Sequence, residues 1–352
     1  MKKFFIGIDI SKETFDASVI FSVEGNLDYI QLGYGQFKNE ARGFKQFREW
    51  VGKLASKVHM GKAENWLLCC ETTGGYDHGL CAWCHGNGLG IWRESALQIR
   101  RSSGIRRGKN DRADSLMIAE YAQKNQKKCK LWEPLPENLC ELKELLLYRE
   151  RLVGQKKAAK VRANEKKLTS GKSRAMDYIY KSSMREVERL EKEVKECERR
   201  MMEIINADKE LKRNYGHITS IKGVGIINAT ALLVYTGNFK IIDDPRKIAT
   251  YFGLVTFYED SGTSIHKKDD TKNLCNKMCK KYISNAASSI IKTRQELKGY
   301  YDRLIKAGKH KMIARNNLKH KIIHIIFSLV KNDCDYEENH EYMRAERNRK
   351  EA

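Results

Sequence analysis

Phe4-Phe5-Ile6-Gly7-Ile8-Asp9-Ile10 is a run of isoleucine and phenylalanine interrupted by one glycine and, near its end, one carboxylate. A short apolar run so rich in strand formers predicts a β-strand whose last turn of chain carries Asp9. Outward from it, a turn at Ser11-Lys12-Glu13 leads to a second strand, Thr14 to Phe21, and Tyr29 to Phe37 reads as a third. Residues 41–57 set Phe44, Phe47, Trp50, Val51 and Leu54 at helical spacing. Trp66-Leu67-Leu68-Cys69-Cys70-Glu71 is another buried-strand run, and it too ends in an acid. Thr72-Thr73-Gly74-Gly75 supplies a turn, a helix is predicted from Tyr76, and Leu89-Gly90-Ile91-Trp92 is a fifth strand.

Three strands, a helix, then strand–helix–strand is the order of an RNase H-like fold. The sequence therefore predicts an α/β domain with a mixed sheet over residues 1–136. From 137 to 213 glycine becomes scarce and charge dense. Val187, Leu190, Val194, Cys197, Met201 and Ile204 follow one another at spacings of three and four, the heptad signature. Leu139, Leu142, Leu146 and Val153 form a weaker partner upstream, and Lys156 to Arg174 is strongly basic. A coiled-coil helical hairpin is expected, serving either as an intramolecular spacer or as an oligomerisation coil. Residues 214–332 read as a mainly helical C-terminal domain, and 333–352 as a polar tail.

Lys and Arg number 67 against 45 Asp and Glu, a formal charge of +22. Such an excess repels itself in the folded chain and suits a polyanionic partner, above all nucleic acid. No stretch offers about 18 consecutive apolar residues, so no membrane span is expected. The ten cysteines are expected to be reduced thiols in a cytoplasmic protein. Cys81-Ala82-Trp83-Cys84-His85 matches a haem-attachment spacing and, with His78 or His85, a zinc pair. No second such pair stands at finger spacing, and chance placement is the reading adopted.

Four acids fall where chemistry would use them. Asp9 and Glu71 end strands that are neighbours in an RNase H-like sheet. Asp111 and Asp114 open a helical pattern in Lys109-Asn110-Asp111-Arg112-Ala113-Asp114-Ser115, and a spacing of three puts both on one face. Singly, each could be a turn or cap residue. Together, crowded carboxylates need a positive counterpart, and hard oxygen ligands suit Mg²⁺ or Mn²⁺. Two such ions can serve phosphodiester chemistry.

Gly7-Ile8-Asp9-Ile10-Ser11-Lys12, Glu71-Thr72-Thr73-Gly74-Gly75-Tyr76 and Lys109-Asn110-Asp111-Arg112-Ala113-Asp114 together resemble the DEDD-type transposases. These are insertion-sequence recombinases with a RuvC-like domain and a serine-bearing C-terminal domain, related to the Piv-type DNA invertases. Some are guided by an element-encoded bridge RNA. Ile221-Lys222-Gly223-Val224-Gly225, Ile248-Ala249-Thr250-Tyr251-Phe252-Gly253-Leu254 and Asp260-Ser261-Gly262 continue the resemblance, which spans residues 4–330 in order. It implies that Asp9, Glu71, Asp111 and Asp114 bind metal. It also implies that Ser261 is a nucleophile forming a phosphoserine link to DNA, with Thr263 and Ser264 as substitutes. The chain departs from the pattern at Ser115, where the family has a small Ala, at Val255-Thr256, where a Pro is common, and at Lys272-Asn273, where Gly-Asn is common.

Lys222-Gly223-Val224-Gly225 resembles a helix–hairpin–helix turn, whose glycines admit a phosphate to backbone N–H groups. A tight turn between helices would use the same residues without a ligand. Arg100, Arg101, Arg106, Arg107 and Lys109 beside the acidic helix, and Lys267, Lys268, Lys272, Lys277, Lys280 and Lys281 after Ser261, are the other expected nucleic-acid contacts. The expected partners are double-stranded DNA, a structured guide RNA as in some members, and further copies in a dimer or tetramer. The alternatives are a RuvC-like Holliday-junction endonuclease, a Piv-type invertase and a non-catalytic nucleic-acid-binding protein.

Overall fold

A computed structural model describes residues 4–22, 28–72, 74–102, 110–168, 173–255, 258–261, 265–268, 275–292 and 296–337. The chain forms two compact units, Met1–Pro134 and Leu135–Ala352.

The first unit runs β1 (Phe4–Ile10), β2 (Thr14–Ser22), β3 (Tyr29–Lys38), α1 (Ala41–Lys57), β4 (Trp66–Glu71), α2 (His78–Gly86), β5 (Ile91–Glu94), α3 (Ala96–Ser102) and α4 (Asp111–Asn125). The sheet order is β3-β2-β1-β4-β5. The first three strands are antiparallel, and β4 and β5 continue parallel from β1. The short connections give the antiparallel pairs; each parallel strand is reached through a helix, as parallel crossovers require. This is the RNase H-like arrangement the strand order predicts.

Alternation sorts the strands into two layers. Phe4, Ile6, Ile8 and Ile10 of β1 and Trp66, Leu68 and Cys70 of β4 pack with α1 and α2. Phe5, Leu67 and Cys69 face the other way, against Ile118, Ala119 and Ala122 of α4. The structure corrects the start of β5, which is Ile91 and not Leu89. Gly88 at φ +70° ends α2, and the Leu89 N–H donates to the Cys84 carbonyl, so both residues belong to the helix terminator. Helix α3 was not expected; its seven residues bury only Ile99, too little to leave a periodic signature.

The second unit opens with α5 (Glu137–Leu168) and α6 (Arg174–Ala207), followed by α7 (Lys209–Thr219), α8 (Ile226–Thr236), α9 (Pro245–Tyr251), β6 (Tyr258–Ser261), β7 (Ile265–Lys268), α10 (Lys277–Lys292), α11 (Glu296–Lys306) and α12 (Lys311–Asn332). Helices α5 and α6 run antiparallel, as the pairs Arg149–Glu198, Lys160–Glu191 and Arg162–Glu186 show. The seam buries Val187, Leu190, Val194, Cys197 and Met201, but closes on Ile205 where Ile204 was expected. A straight helix drifts from a seven-residue repeat, and this end joins the core built by Leu211, Ile218 and Leu232. The β6–β7 pair, with Ser261 opposite Ile265, interrupts a region expected to be helical; four-residue strands rich in charge carry little apolar alternation. Residues 333–336, read as the start of a tail, are tied to α7. Asp335 and Asp333 oxygens lie 2.7 and 3.0 Å from the two ring nitrogens of His217, and the Tyr336 N–H donates to Ser220 Oγ at 2.8 Å.

Candidate active site

Asp9 lies one residue beyond the Ile8–Cys70 pairing of β1 with β4, and Glu71 is the next residue of β4. Both fall on the α4 side of the sheet, since their neighbours Ile8 and Cys70 belong to the opposite layer. Helix α4 reaches that side because β1 has no side chain at Gly7. A Cβ there would lie 2.1 Å from the Ser115 carbonyl oxygen and 2.2 Å from the Ala119 nitrogen. The buried Ser18 and Ser115 hydroxyls share a hydrogen bond of 2.8 Å across the same contact, and Ser115 also donates to the Arg112 carbonyl at 3.0 Å. Ser115, the departure from the family pattern, is thus matched by Ser18 on β2.

Asn110 caps α4, its side chain accepting from the Arg112 N–H at 3.0 Å. The cap is therefore not Asp111, and both acids of the first turn are available to the site. Ligand oxygens of Asp9, Asp111 and Asp114 all lie within 4.8 Å of one another. Glu71 stands outside that triad but close enough to act on it. Burial, then the charges of Asp114, Glu71, Asp111 and Asp16, push the Asp9 carboxyl up to about 6. The helix N-terminus offsets part of this repulsion, because its partial positive charge favours acids in the first turn.

Two further acids escaped the sequence reading. Asp16 is the direct cross-strand neighbour of Asp9. It is buried, accepts from the Tyr34 hydroxyl, and accepts from Gln36 at 3.3 and 3.4 Å. That bond, above all, pushes the Tyr34 hydroxyl up to about 12, and the Arg112 guanidinium lies over the Tyr34 ring. Glu94 is paired with Glu71 at the end of β5 and accepts from the Tyr121 hydroxyl at 3.1 Å. The signals were present: Asp16 and Ser18 alternate within an apolar strand, and Glu94 is a third acid at the end of a parallel strand. Behind Glu71, in the other layer, Cys70, Asp77 and Cys81 form a buried group. There Asp77 pairs with Arg93, and Cys81 sits against Cys70 rather than serving a pair with Cys84.

In the second unit Ser261 ends β6; its side chain, and those of Lys267 and Lys268 in β7, lie outside what is described. Arg106, Arg107, Lys109, Thr263 and Ser264 also lie outside the described residues. Lys222 is exposed in the turn between α7 and α8. Gly223 adopts φ +100°, and a Cβ there would lie 2.8 Å from Ile290 Cγ1 of α10. Its glycine is thus demanded by the backbone and by packing. Gly225 precedes α8 with nothing within 4 Å of its Cβ position.

Residues 6–168 match the IS110-type DEDD transposase family, and residues 215–302 match the family described as transposase IS116/IS110/IS902. The chain belongs to the IS110 transposase family. Pilin gene-inverting proteins of Moraxella lacunata and Moraxella bovis are each 27% identical to this transposase over 271 residues, covering 76% of it and 77% of their own length. An insertion element IS110 protein of Streptomyces coelicolor is 30% identical over 120 residues, 34% of this chain and 29% of its own. Thermus thermophilus RuvC in complex with a Holliday junction substrate aligns over 37% of the chain and 99% of its own, at 10% identity and a TM-score of 0.28. The assignment of the RNase H-like fold rests on the strand order and pairing themselves. No helix among the described residues is long and apolar enough to cross a membrane.

Proposed function

We propose that this IS110-family recombinase cuts and rejoins duplex DNA at a divalent-metal site formed by Asp9, Glu71, Asp111 and Asp114, through a phosphoserine link made by Ser261. The observation that carries the reading is the meeting of Asp9, Asp111 and Asp114 within 4.8 Å, on elements a hundred residues apart. The donor set fits two Mg²⁺ or Mn²⁺ ions: it is all hard oxygen, and its mutual repulsion is a cost that a cation would relieve. When bound, such ions polarise phosphate oxygens and stabilise charge on the attacking and leaving oxygens.

The chain's own residues hold that set in place. Strands β1 and β4 fix Asp9 and Glu71 by register. Helix α4 presents two carboxylates from one turn, and Asn110 takes over the capping they would otherwise do. In the proposed cleavage the Ser261 Oγ–phosphorus bond forms as the ester bond to the leaving deoxyribose oxygen breaks. The serine hydroxyl loses its proton and the leaving oxygen gains one. Rejoining is the reverse with a hydroxyl of another strand as attacker, which restores Ser261 and keeps one phosphodiester bond for each one broken. A structured guide RNA, a dimer or tetramer, and a cytoplasmic, nucleoid-associated location belong to the same reading, carried by the family resemblance.

The test uses supercoiled plasmid bearing the element ends, with Mg²⁺ and with EDTA, run on denaturing gels. Expected are cleavage and a protein–DNA adduct from the parent chain, no adduct from Ser261→Ala, and neither product from Asp9→Ala or with EDTA. Equal products from the parent chain and Asp9→Ala would overturn the metal site. Junction cleavage by Ser261→Ala at the parent rate would overturn the serine step and favour a resolving endonuclease.

A further inference from the structure

Helix α12 lays one flank against the turn that follows α9. Asn316 Nδ2 and His320 Nε2 both donate to the Leu254 carbonyl, at 2.8 and 3.0 Å. From the other side, Lys280 of α10 brings its ammonium to 3.5 Å from where a Gly253 Cβ would stand. Arg315 and Lys319, each one position before a residue of that clamp, are one helical turn apart and share a face. The Lys280 ammonium thus stands beside this turn, and Lys319, next to the clamp on α12, feels the charges of both Lys280 and Arg315.

None of the three has a carboxylate partner among the described residues, although the neighbouring Lys281 pairs with Glu150. Lys319 is half-buried, and burial, then Lys280 and Arg315, lower its affinity for its proton. A long flexible lysine in water would swing away from two like charges. Holding Lys319 among them in the folded chain costs stability that an anion would return.

We infer that Lys280, Arg315 and Lys319 form a seat for backbone phosphates of duplex DNA at the base of the β6–β7 hairpin. The inference rests on the proposed recombinase reading, which makes DNA the partner. Ser261 lies seven positions beyond Leu254, so the chain bounds their separation to about 25 Å at full extension, within about seven base pairs of duplex from the proposed scissile bond. The seat makes no contact that would distinguish bases; it would set register and orientation, the office of phosphate contacts.

The experiment measures binding of the full chain to duplex DNA carrying the element ends, by fluorescence anisotropy over a series of salt concentrations without divalent ions. The variants are Lys319→Gln and the triple Lys280→Gln/Arg315→Gln/Lys319→Gln, with Lys53→Gln, an exposed lysine of α1 on the sheet face opposite the acids, as a control. Neutralising like charges leaves the fold intact, which thermal unfolding checks. Expected is a salt slope shallower by about 1 for the single variant and by 2 to 3 for the triple, roughly 0.9 per phosphate lost. Lys53→Gln should keep the parent slope. Folded variants with the parent slope overturn the seat, as does a slope change seen only with a structured RNA of equal length. Failure of the recombinase reading looks different: unchanged plasmid cleavage by Asp9→Ala, whatever the slope does.

Discussion

Each unit of this transposase concentrates like charge, and the two do it by different means. In the first, carboxylates meet at the ends of parallel strands and on the first turn of a helix docked against them. In the second, cations gather along one flank of a helix and beside a turn. Backbone register and a close helix–strand contact set the acids on short side chains with few torsions. The cations ride on long side chains whose heads can follow a ligand. Short, register-held acids suit bond making and breaking, where small displacements cost rate; reaching cations suit the holding of a polyanion.

The comparison breaks first at Asp9. Its replacement by Ala, or removal of divalent ions, should lower strand cleavage at least roughly 100-fold, measured on plasmid, while DNA binding at fixed salt stays within about twofold. Comparable loss of binding would mean that the acid cluster shapes the DNA surface and is not a separate chemical centre.

Next comes the contact that brings α4 to the sheet. Gly7→Ala should cost about 3 kcal/mol in urea unfolding, because the added carbon meets backbone atoms that cannot swing aside. An unchanged midpoint would show that α4 can dock elsewhere, and that the position of Asp111 and Asp114 is not fixed by Gly7.

A smaller effect sharpens the electrostatic side. In the folded, metal-free chain the Asp9 carboxyl, pushed up to about 6, keeps a proton that the unfolded chain releases near 3.8. Its contribution to stability is therefore complete below about pH 4 and is lost as pH rises through 6. Unfolding without metal should show stability falling between about pH 4 and pH 6, by about 1 kcal/mol once solvent screening is allowed for. Asp9→Asn should flatten that fall, and Mg²⁺ should reverse it. The smallest expected effect is at Ser115→Ala, about 1 kcal/mol, from the Ser18 hydroxyl left buried without its partner. The double change Ser18→Ala/Ser115→Ala should recover most of it, since neither hydroxyl then remains to be satisfied.

The sheet was readable because its strands are short apolar runs with acids at their ends, and because Gly74-Gly75 marks the turn after β4. Asp9 and Glu71 were readable for the same reason. Asp111 and Asp114 needed the family pattern to separate them from capping residues, since a helix start attracts acids whether or not a metal is bound; Asn110, one residue upstream, answers the capping question only in three dimensions. Asp16 and Glu94 were passed over because each looks like an ordinary strand polar residue until register sets it beside a second carboxylate. The β6–β7 pair gave no alternation to read, as charge occupies half of its positions. Lys280, Arg315 and Lys319 are separated by up to 39 positions in the sequence, and only the packing of α10 and α12 against one turn brings them together.

The chain does not finish its folding work at the last helix. With an aspartate oxygen at each nitrogen of His217 and a backbone N–H on Ser220, residues 333–336 latch the end of α7, immediately before the turn that carries Lys222. A gene truncated by a stop codon at the end of α12 would still encode every helix among the described residues of this unit. Its product would nonetheless lack the latch that holds the end of α7.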